Sequence, residues 1–147
     1  EIIGQQLSGR VADVIEGRLK VKIKGRLTSN NILSLPDGQL RSCGMAWSKV
    51  RAIKDLSQRV KNRELHIRKL SKLSDEEVGN ELVAVKGIGP WTAEMFLMFS
   101  LARPDIFPKN DLGINKAMKK LKLKNSNRWK PYRTVASWYL WRSLESG

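Results

Sequence analysis

One aspartate and one glycine-bearing turn carry the residue types that could do chemistry in this chain. Asp111 lies in the phrase F-P-K-N-D-L-G, directly before a helical pattern. Residues 85–92 read V-K-G-I-G-P-W-T, so two glycines bracket one aliphatic residue and a proline opens the next helix. Glycine permits positive φ and close backbone approach, and the free N–H groups of a helix N-terminus attract anions. The two phrases predict a turn that grips a phosphate and a carboxylate that reacts beside it, at opposite ends of one apolar helix.

Each of these features also has an ordinary structural interpretation. A G-x-G turn often only connects two helices, and a carboxylate at a helix start is often only an N-cap. The overall charge favours the chemical interpretation, because 28 Lys and Arg oppose 14 Asp and Glu and give a net charge of +14. A domain this basic repels itself and usually meets a polyanion. Nucleic acid is the first expected partner and an anionic membrane surface the second; a soluble Lys-rich surface is the alternative.

Cysteine and histidine are too few for several classes of site. The chain has one cysteine, Cys43, and one histidine, His66. These exclude a disulfide framework, a structural zinc site and a cysteine-ligated iron–sulfur cluster built within the chain. A single cysteine suits a reducing, intracellular compartment, and no apolar run is long enough to span a membrane. The chain opens on Glu1 within an apolar phrase, so we interpret it as a fragment that lacks its N-terminal helix or helices.

Helical periodicity and capping signals predict an all-α helical bundle that contains a helix-hairpin-helix, in one domain over residues 1–147. Thr28 to Asn31 is expected to be a loop, and Ser74 with Glu77 forms a capping-box pattern. The stretch from Pro90 to Ala102 is apolar nearly all round, which predicts a helix buried on every side. The predicted helices cover residues 9–26, 37–43, 48–63, 75–86, 90–102, 111–121 and 131–144.

The motifs, taken together, resemble a known family. Residues 85–92 and 107–113 resemble the hairpin and the aspartate loop of the helix-hairpin-helix DNA glycosylase superfamily, in its 3-methyladenine DNA glycosylase branch. The phrases at 2–8, 40–53 and 129–141 also match, so the resemblance covers nearly the whole chain in the family's order. It implies that the chain excises alkylated purines, such as 3-methyladenine and 7-methylguanine, by hydrolysing the N-glycosidic bond. The implied partner is double-stranded DNA with a damaged base, and the implied process is base excision repair.

The resemblance also implies residue roles. Asp111 becomes the catalytic carboxylate that stabilises positive charge on the sugar and orients or deprotonates the attacking water. Met95 and Leu112 stand where the bacterial pattern has tyrosines, which leaves the range of damaged bases open, and ordinary core packing is the alternative for the tryptophans. The implied base pocket consists of Trp91, Met95, Leu112 and Trp141. The expected DNA contacts are Lys86, Gly87, Ile88, Gly89, Thr92, Lys49 as a phosphate contact, and Gln6 in the gap left by a flipped base.

Several absences are also expected. Family members that nick the strand place a lysine where this chain has Trp91, so base excision without lyase activity is predicted. No cofactor and no metal are expected, although a monovalent cation at the hairpin is compatible with the pattern. A monomer is expected, in the cytoplasm or nucleoid, or in the nucleus of a eukaryote. The alternative function is a noncatalytic or truncated helix-hairpin-helix module that only binds DNA.

Overall fold

Helices make up the regular secondary structure of the chain. The computed structural model describes residues 2–5 and 7–145, and no strand occurs among them, which confirms the all-α prediction. The described helices include none that is long and apolar enough to cross a lipid bilayer. The α-helices are α1 (Gly9–Ile23), α2 (Ser29–Ser34), α3 (Asp37–Arg41), α4 (Trp47–Lys61), α5 (Asp75–Val83), α6 (Pro90–Met95), α7 (Leu112–Lys120) and α8 (Arg133–Glu145). Shorter 3₁₀ segments cover Ile67–Lys72 and Asn127–Trp129, and a π-helical turn covers Phe96–Ser100.

The contacts between residues divide the chain into two compact units. The first is Glu1–Thr92 and the second is Ala93–Gly147, so the division falls within α6. Each unit has hydrophobic packing of its own and is described separately. The single domain over residues 1–147, and the N-terminal helix expected before it, stay predictions.

The first unit is built around α1 to α4. Cys43 is buried in its core, and α2 packs against α4. The loop predicted over Thr28 to Asn31 was wrong for residues 29–31, which form the first turn of α2. Thr28 itself lies outside the helix as its N-cap, and its hydroxyl accepts a hydrogen bond from the Asn31 amide. The capping box of α5 is confirmed, because Ser74 and Glu77 each satisfy the other's backbone N–H. The core cluster comprises Ile15, Leu19, Ile32, Leu40, Cys43, Met45, Val50 and Ile53.

The second unit is built around α7 and α8, which pack against each other. The buried centre of this packing is Ile114, Ala117 and Leu140. The prediction that residues 90–102 are buried on every side was wrong. The α-helix gives way to a π-helical turn, in which the Leu101 amide donates to the Phe96 carbonyl at 3.1 Å, and the wider turn changes the register of the side chains. Phe99 is therefore 54% exposed.

Candidate functional site

The glycine turn of residues 86–89 is packed against α4. Gly87 has φ of +78°, and a Cβ placed on it would lie 2.9 Å from the Ala52 Cβ. The Lys86 amide donates to Asp55 Oδ2 at 2.9 Å, and the Ile88 side chain is buried, so its contact with DNA stays a prediction. Only glycine combines this backbone conformation with this close approach. The turn therefore has one conformation that its surroundings fix.

Asp55 on α4 anchors the turn electrostatically. Its Oδ2 also accepts from Arg59 Nε at 2.9 Å, one turn further along the same helix. The pKa of Asp55 is lowered, chiefly by the Lys86 N–H bond and secondarily by Arg59, against an opposing effect of burial. The carboxylate is therefore ionised at neutral pH, and its charge holds the N–H that leads into the turn.

A second set of hydrogen bonds, which we call the Gln5 clamp, joins the N-terminal segment to the turn. Gln5 Nε2 donates to the Gly87 carbonyl and to Thr92 Oγ1, both at 2.9 Å. Lys49 Nζ in turn donates to the carbonyls of Ile3 at 2.7 Å and of Gln5 at 2.5 Å, and burial lowers the pKa of this ammonium. The side-chain amide of Gln5 thus donates both of its hydrogen bonds to residues 87 and 92, and the backbone carbonyl of Gln5 accepts one from Lys49.

These contacts change how two of the predicted DNA contacts are understood. Thr92 is only 6% exposed and its hydroxyl accepts from Gln5, while the Lys49 ammonium holds two carbonyls. Both residues hold the turn in place, and their direct contact with DNA stays a prediction. Lys86 keeps an exposed side chain, and Gln6 lies outside the described residues.

Gly89 differs from Gly87 in its surroundings. Its φ is outside the left-handed region, and a Cβ built on it would have no heavy atom within 4 Å. Nothing inside the unit therefore requires glycine at this position. The turn is therefore open to its surroundings at Gly89.

In the second unit, Asp111 is held by two N–H donors. It is the N-cap of α7 and is 8% exposed. Its Oδ1 accepts from the Ile114 amide at 2.7 Å and from Trp141 Nε1, on α8, at 2.8 Å. A Cβ on Gly113 would lie 2.9 Å from Trp141 Cδ1 and 3.1 Å from Asp111 Oδ1. The glycine after Leu112 is thus what lets the indole reach the carboxylate.

The indole that bonds to Asp111 is the first of three stacked aromatic rings. Trp141 stacks on Phe99 with ring centroids 6.2 Å apart, and Phe99 stacks on Trp138 at 6.1 Å. The structure therefore brings together Asp111 and Trp141, two of the predicted site residues. Leu112 is 86% exposed and Met95 is 5% exposed, while Trp91, which belongs to the first unit, is 40% exposed. Their role in a base pocket stays a prediction.

The sequence interpretation missed one carboxyl in the second unit. Glu94 is half-buried between Ala93 and Met95, and its pKa is raised, first by burial and then by the charge of Asp111, while Lys109 opposes the shift. The signal was visible as one acidic residue in the otherwise apolar run A-E-M-F-L-M-F. Gln5 and Asp55 were also missed, because their partners lie 82 and 31 residues away.

Possible metal ligands are scattered. Within residues 2–5 and 7–145, no three His, Cys, Asp or Glu side chains converge on a point that could hold a metal ion. The monovalent cation at the hairpin stays a prediction.

Comparisons with known proteins agree with the motifs. Residues 1–142 match the family model described as "HhH-GPD superfamily base excision DNA repair protein". The DNA-3-methyladenine glycosylase 1 of Schizosaccharomyces pombe is 32% identical over 156 aligned residues, which cover 97% of this chain and 68% of that protein. The chain spans 44% and 68% of the length of the first two curated relatives that it matches.

Two solved structures have the same fold. A DNA-3-methyladenine glycosidase from Bacillus halodurans superimposes with a TM-score of 0.84 at 34% identity, over 97% of this chain and 71% of that one. The 3-methyladenine DNA glycosylase of Schizosaccharomyces pombe, solved with abasic DNA, gives a TM-score of 0.83 at 31% identity, over 98% and 77%.

Alanine substitutions at the two glycines of the turn should differ in their effect on stability. Gly87→Ala should destabilise the protein by at least about 1–2 kcal/mol, because a left-handed residue with a Cβ is strained and this Cβ meets Ala52. Gly89→Ala should change stability by no more than about 0.5 kcal/mol, because its Cβ has open space. Urea unfolding of both variants measures the difference. Equal effects would contradict the packing of the turn on α4.

The raised pKa of Glu94 leads us to expect that the stability of the protein depends on pH. Its folded-state pKa lies above the ordinary value of 4.5, so the folded state binds the proton more tightly than the unfolded state does. This contribution is present below the ordinary pKa and is lost as pH rises through the raised value. Unfolding midpoints of Glu94→Gln and the parent should therefore diverge in favour of the variant as pH rises from about 4.5 to neutrality. A pH-independent difference would contradict the burial of an ionising carboxyl.

Proposed function

Because the chain belongs to the helix-hairpin-helix superfamily of base excision DNA repair proteins, we propose that it is a DNA glycosylase that excises alkylated purines. The observation that carries this proposal is the carboxylate of Asp111, fixed at the start of α7 by two N–H donors. The names of the relatives, which include DNA-3-methyladenine glycosylases, support the class of base.

The reaction needs a fixed negative charge beside the sugar. As the bond between C1′ and the base nitrogen breaks, the base takes the bonding electrons and positive charge develops on the sugar. Asp111 stabilises that charge. The oxygen of a water molecule then forms the new bond to C1′, and its proton passes to the carboxylate and on to solvent. An N-alkylated purine leaves as a neutral base because the electron pair cancels its positive charge, so protonation of the leaving group is not required.

The two donors make Asp111 suitable for this role. Both the Ile114 amide and Trp141 Nε1 bond to Oδ1, which orients the carboxylate before substrate arrives. A charge that is already oriented needs no reorganisation when the transition state forms, and this is the largest electrostatic advantage an enzyme has over water. The indole that positions Asp111 also presents a π-face, and Trp141 would attract a cationic base by roughly 0.5–2 kcal/mol.

The hairpin would bind the phosphate backbone of DNA. Gly89 with its open surroundings, the exposed Lys86 and the amides that open α6 suit a phosphate of the backbone. We infer the substrate to be double-stranded DNA with one damaged base flipped out, bound by a monomer without a cofactor, in the compartment that holds DNA. Trp91 cannot form the Schiff base that a lysine would, so the product is an abasic site in an unbroken strand.

Replacement of the carboxylate tests the chemistry. Asp111→Asn keeps an oxygen that can cap α7 but removes the negative charge, so release of 7-methylguanine from a duplex should fall at least about 100-fold. Free base and alkali-labile sites measure the release, and duplex binding should stay within a few-fold of the parent.

The matched control is Asp13→Asn, which removes an exposed carboxylate from α1. It should keep the parent rate. A full rate in Asp111→Asn would refute the mechanism, and absence of release from the parent on a panel of alkylated bases would favour a module that only binds DNA.

A large side chain at position 89 tests whether the hairpin contacts the DNA backbone. Gly89→Leu places a side chain where the fold leaves room but a phosphate backbone would not, so affinity for any duplex should fall at least about tenfold, or about 1.4 kcal/mol. Fluorescence anisotropy with a labelled duplex measures it. Gly17→Leu, at an exposed and equally open glycine of α1, is the control and should leave affinity unchanged. Unchanged affinity in Gly89→Leu would show that the hairpin does not contact DNA.

A further inference from the structure

The second unit has an open groove away from Asp111. The groove has a volume of about 490 Å³ and lies between α8 and the segment that follows α7. It begins at Leu121, ten residues after Asp111, and a helical rise of 1.5 Å per residue puts the two backbones about 15 Å apart. The residues that line it are Leu121, Leu123, Arg128, Trp129, Lys130, Tyr132, Val135, Ala136, Tyr139 and Leu140.

The walls of the groove are apolar and accessible. Leu121 is 47% exposed and Val135 43%, and the tyrosines at 132 and 139 are 65% and 72% exposed, whereas Leu140 forms a buried floor. Scattered exposed apolar residues are ordinary on a protein surface, but a concave cluster of them marks an interaction site. The exposure of Leu121 and Val135 gives the groove its aliphatic walls.

Two cations, Arg128 and Lys130, line the groove and belong to a basic segment of the sequence. Residues 116–130 contain seven Lys and Arg and no Asp or Glu. Arg128 and Lys130 lie at the groove itself, and neither is within ion-pairing distance of a carboxylate in the described part of the chain. The complementary ligand therefore carries negative charge around an apolar centre.

We propose that this groove docks an acidic peptide segment of a partner protein. A bulky apolar side chain of the peptide fills the space between Leu121, Val135 and Leu140, and its carboxylates face Arg128 and Lys130. This is the arrangement in which an apolar anchor gives most of the binding energy and surrounding charges give specificity.

The apolar walls favour a peptide over a second nucleic-acid strand. The exposed rings of Tyr132 and Tyr139 can stack on a nucleobase or on an aromatic side chain, so the aliphatic centre of the groove decides between the two. A nucleobase that filled the space between Leu121, Val135 and Leu140 would lose the hydrogen bonds of its polar edges, whereas a Leu, Phe or Trp side chain loses nothing there. The distance from Asp111 lets the peptide bind without covering the carboxylate. The proposal does not depend on the proposed function, because none of its residues takes part in base release.

Selection of random short peptides displayed on phage tests the proposal with the 147-residue chain. Peptides that bind the parent should be enriched in Asp and Glu around Leu, Phe or Trp. The affinity of one selected peptide, made synthetically, should fall at least about tenfold in Val135→Asp and in Arg128→Glu.

Matched controls are available on α1 and just after it. Val21 is 76% exposed and Arg26 is exposed, so Val21→Asp and Arg26→Glu make the same chemical changes away from the groove and should bind within about twofold of the parent. Circular dichroism and thermal melting establish that all four variants are folded.

Three results would overturn the proposal. The first is selection that yields only peptides whose binding is unaffected by Val135→Asp. The second is displacement of the peptide by a single-stranded oligonucleotide whose own binding is lost in Val135→Asp, which would assign the groove to nucleic acid. The third is a dimer in sedimentation equilibrium that Val135→Asp dissociates, which would assign it to a second copy of the chain.

Discussion

The arrangement of α7 and α8 depends on one carboxylate oxygen, Asp111 Oδ1, which accepts hydrogen bonds from two N–H groups. The bond from the Ile114 amide begins α7, and the bond from Trp141 Nε1 joins α7 to α8. An N-cap bond of this kind stabilises a helix by about 1 kcal/mol. The same bonds orient the carboxylate, so the fold and the proposed chemistry require one geometry. A functional carboxylate usually lowers stability because burial disfavours its charge; here the donors that stabilise the charge are also the ones that organise the helices.

Hydrogen bonds from side chains also fix the hairpin of the first unit, but they leave part of its surface open. Asp55 and Gln5 use their polar atoms on Lys86 N, the Gly87 carbonyl and Thr92 Oγ1. These bonds hold the turn without using the backbone around Gly89. A turn that is ordered before it meets a ligand has already lost its conformational entropy, so more of the interaction energy appears as affinity. The packing of the turn on α4 thus requires glycine at position 87, whereas the fold leaves open space around Gly89.

Sequence reasoning succeeded where the stabilising interactions are local. The capping box at Ser74 and the cap at Asp111 join residues three positions apart, so the chain's own order displays them. It failed where the interaction is distant or where a helix changes its pitch. Periodicity assumes a constant turn, so the π-helical turn at Phe96 and the exposure of Phe99 were invisible to it. The Gln5 clamp and the Asp111–Trp141 bond join residues 82 and 30 positions apart, and no local pattern encodes such pairs.

Glu94 shows how the second unit distributes charge. Two carboxyl groups in one electrostatic neighbourhood cannot both ionise cheaply, and the group with fewer donors yields. Asp111 has two N–H bonds that stabilise negative charge, whereas burial and the charge of Asp111 raise the pKa of Glu94. Lys109 limits the shift but does not reverse it. Burial and the nearby charge of Asp111 therefore both make the ionisation of Glu94 cost free energy.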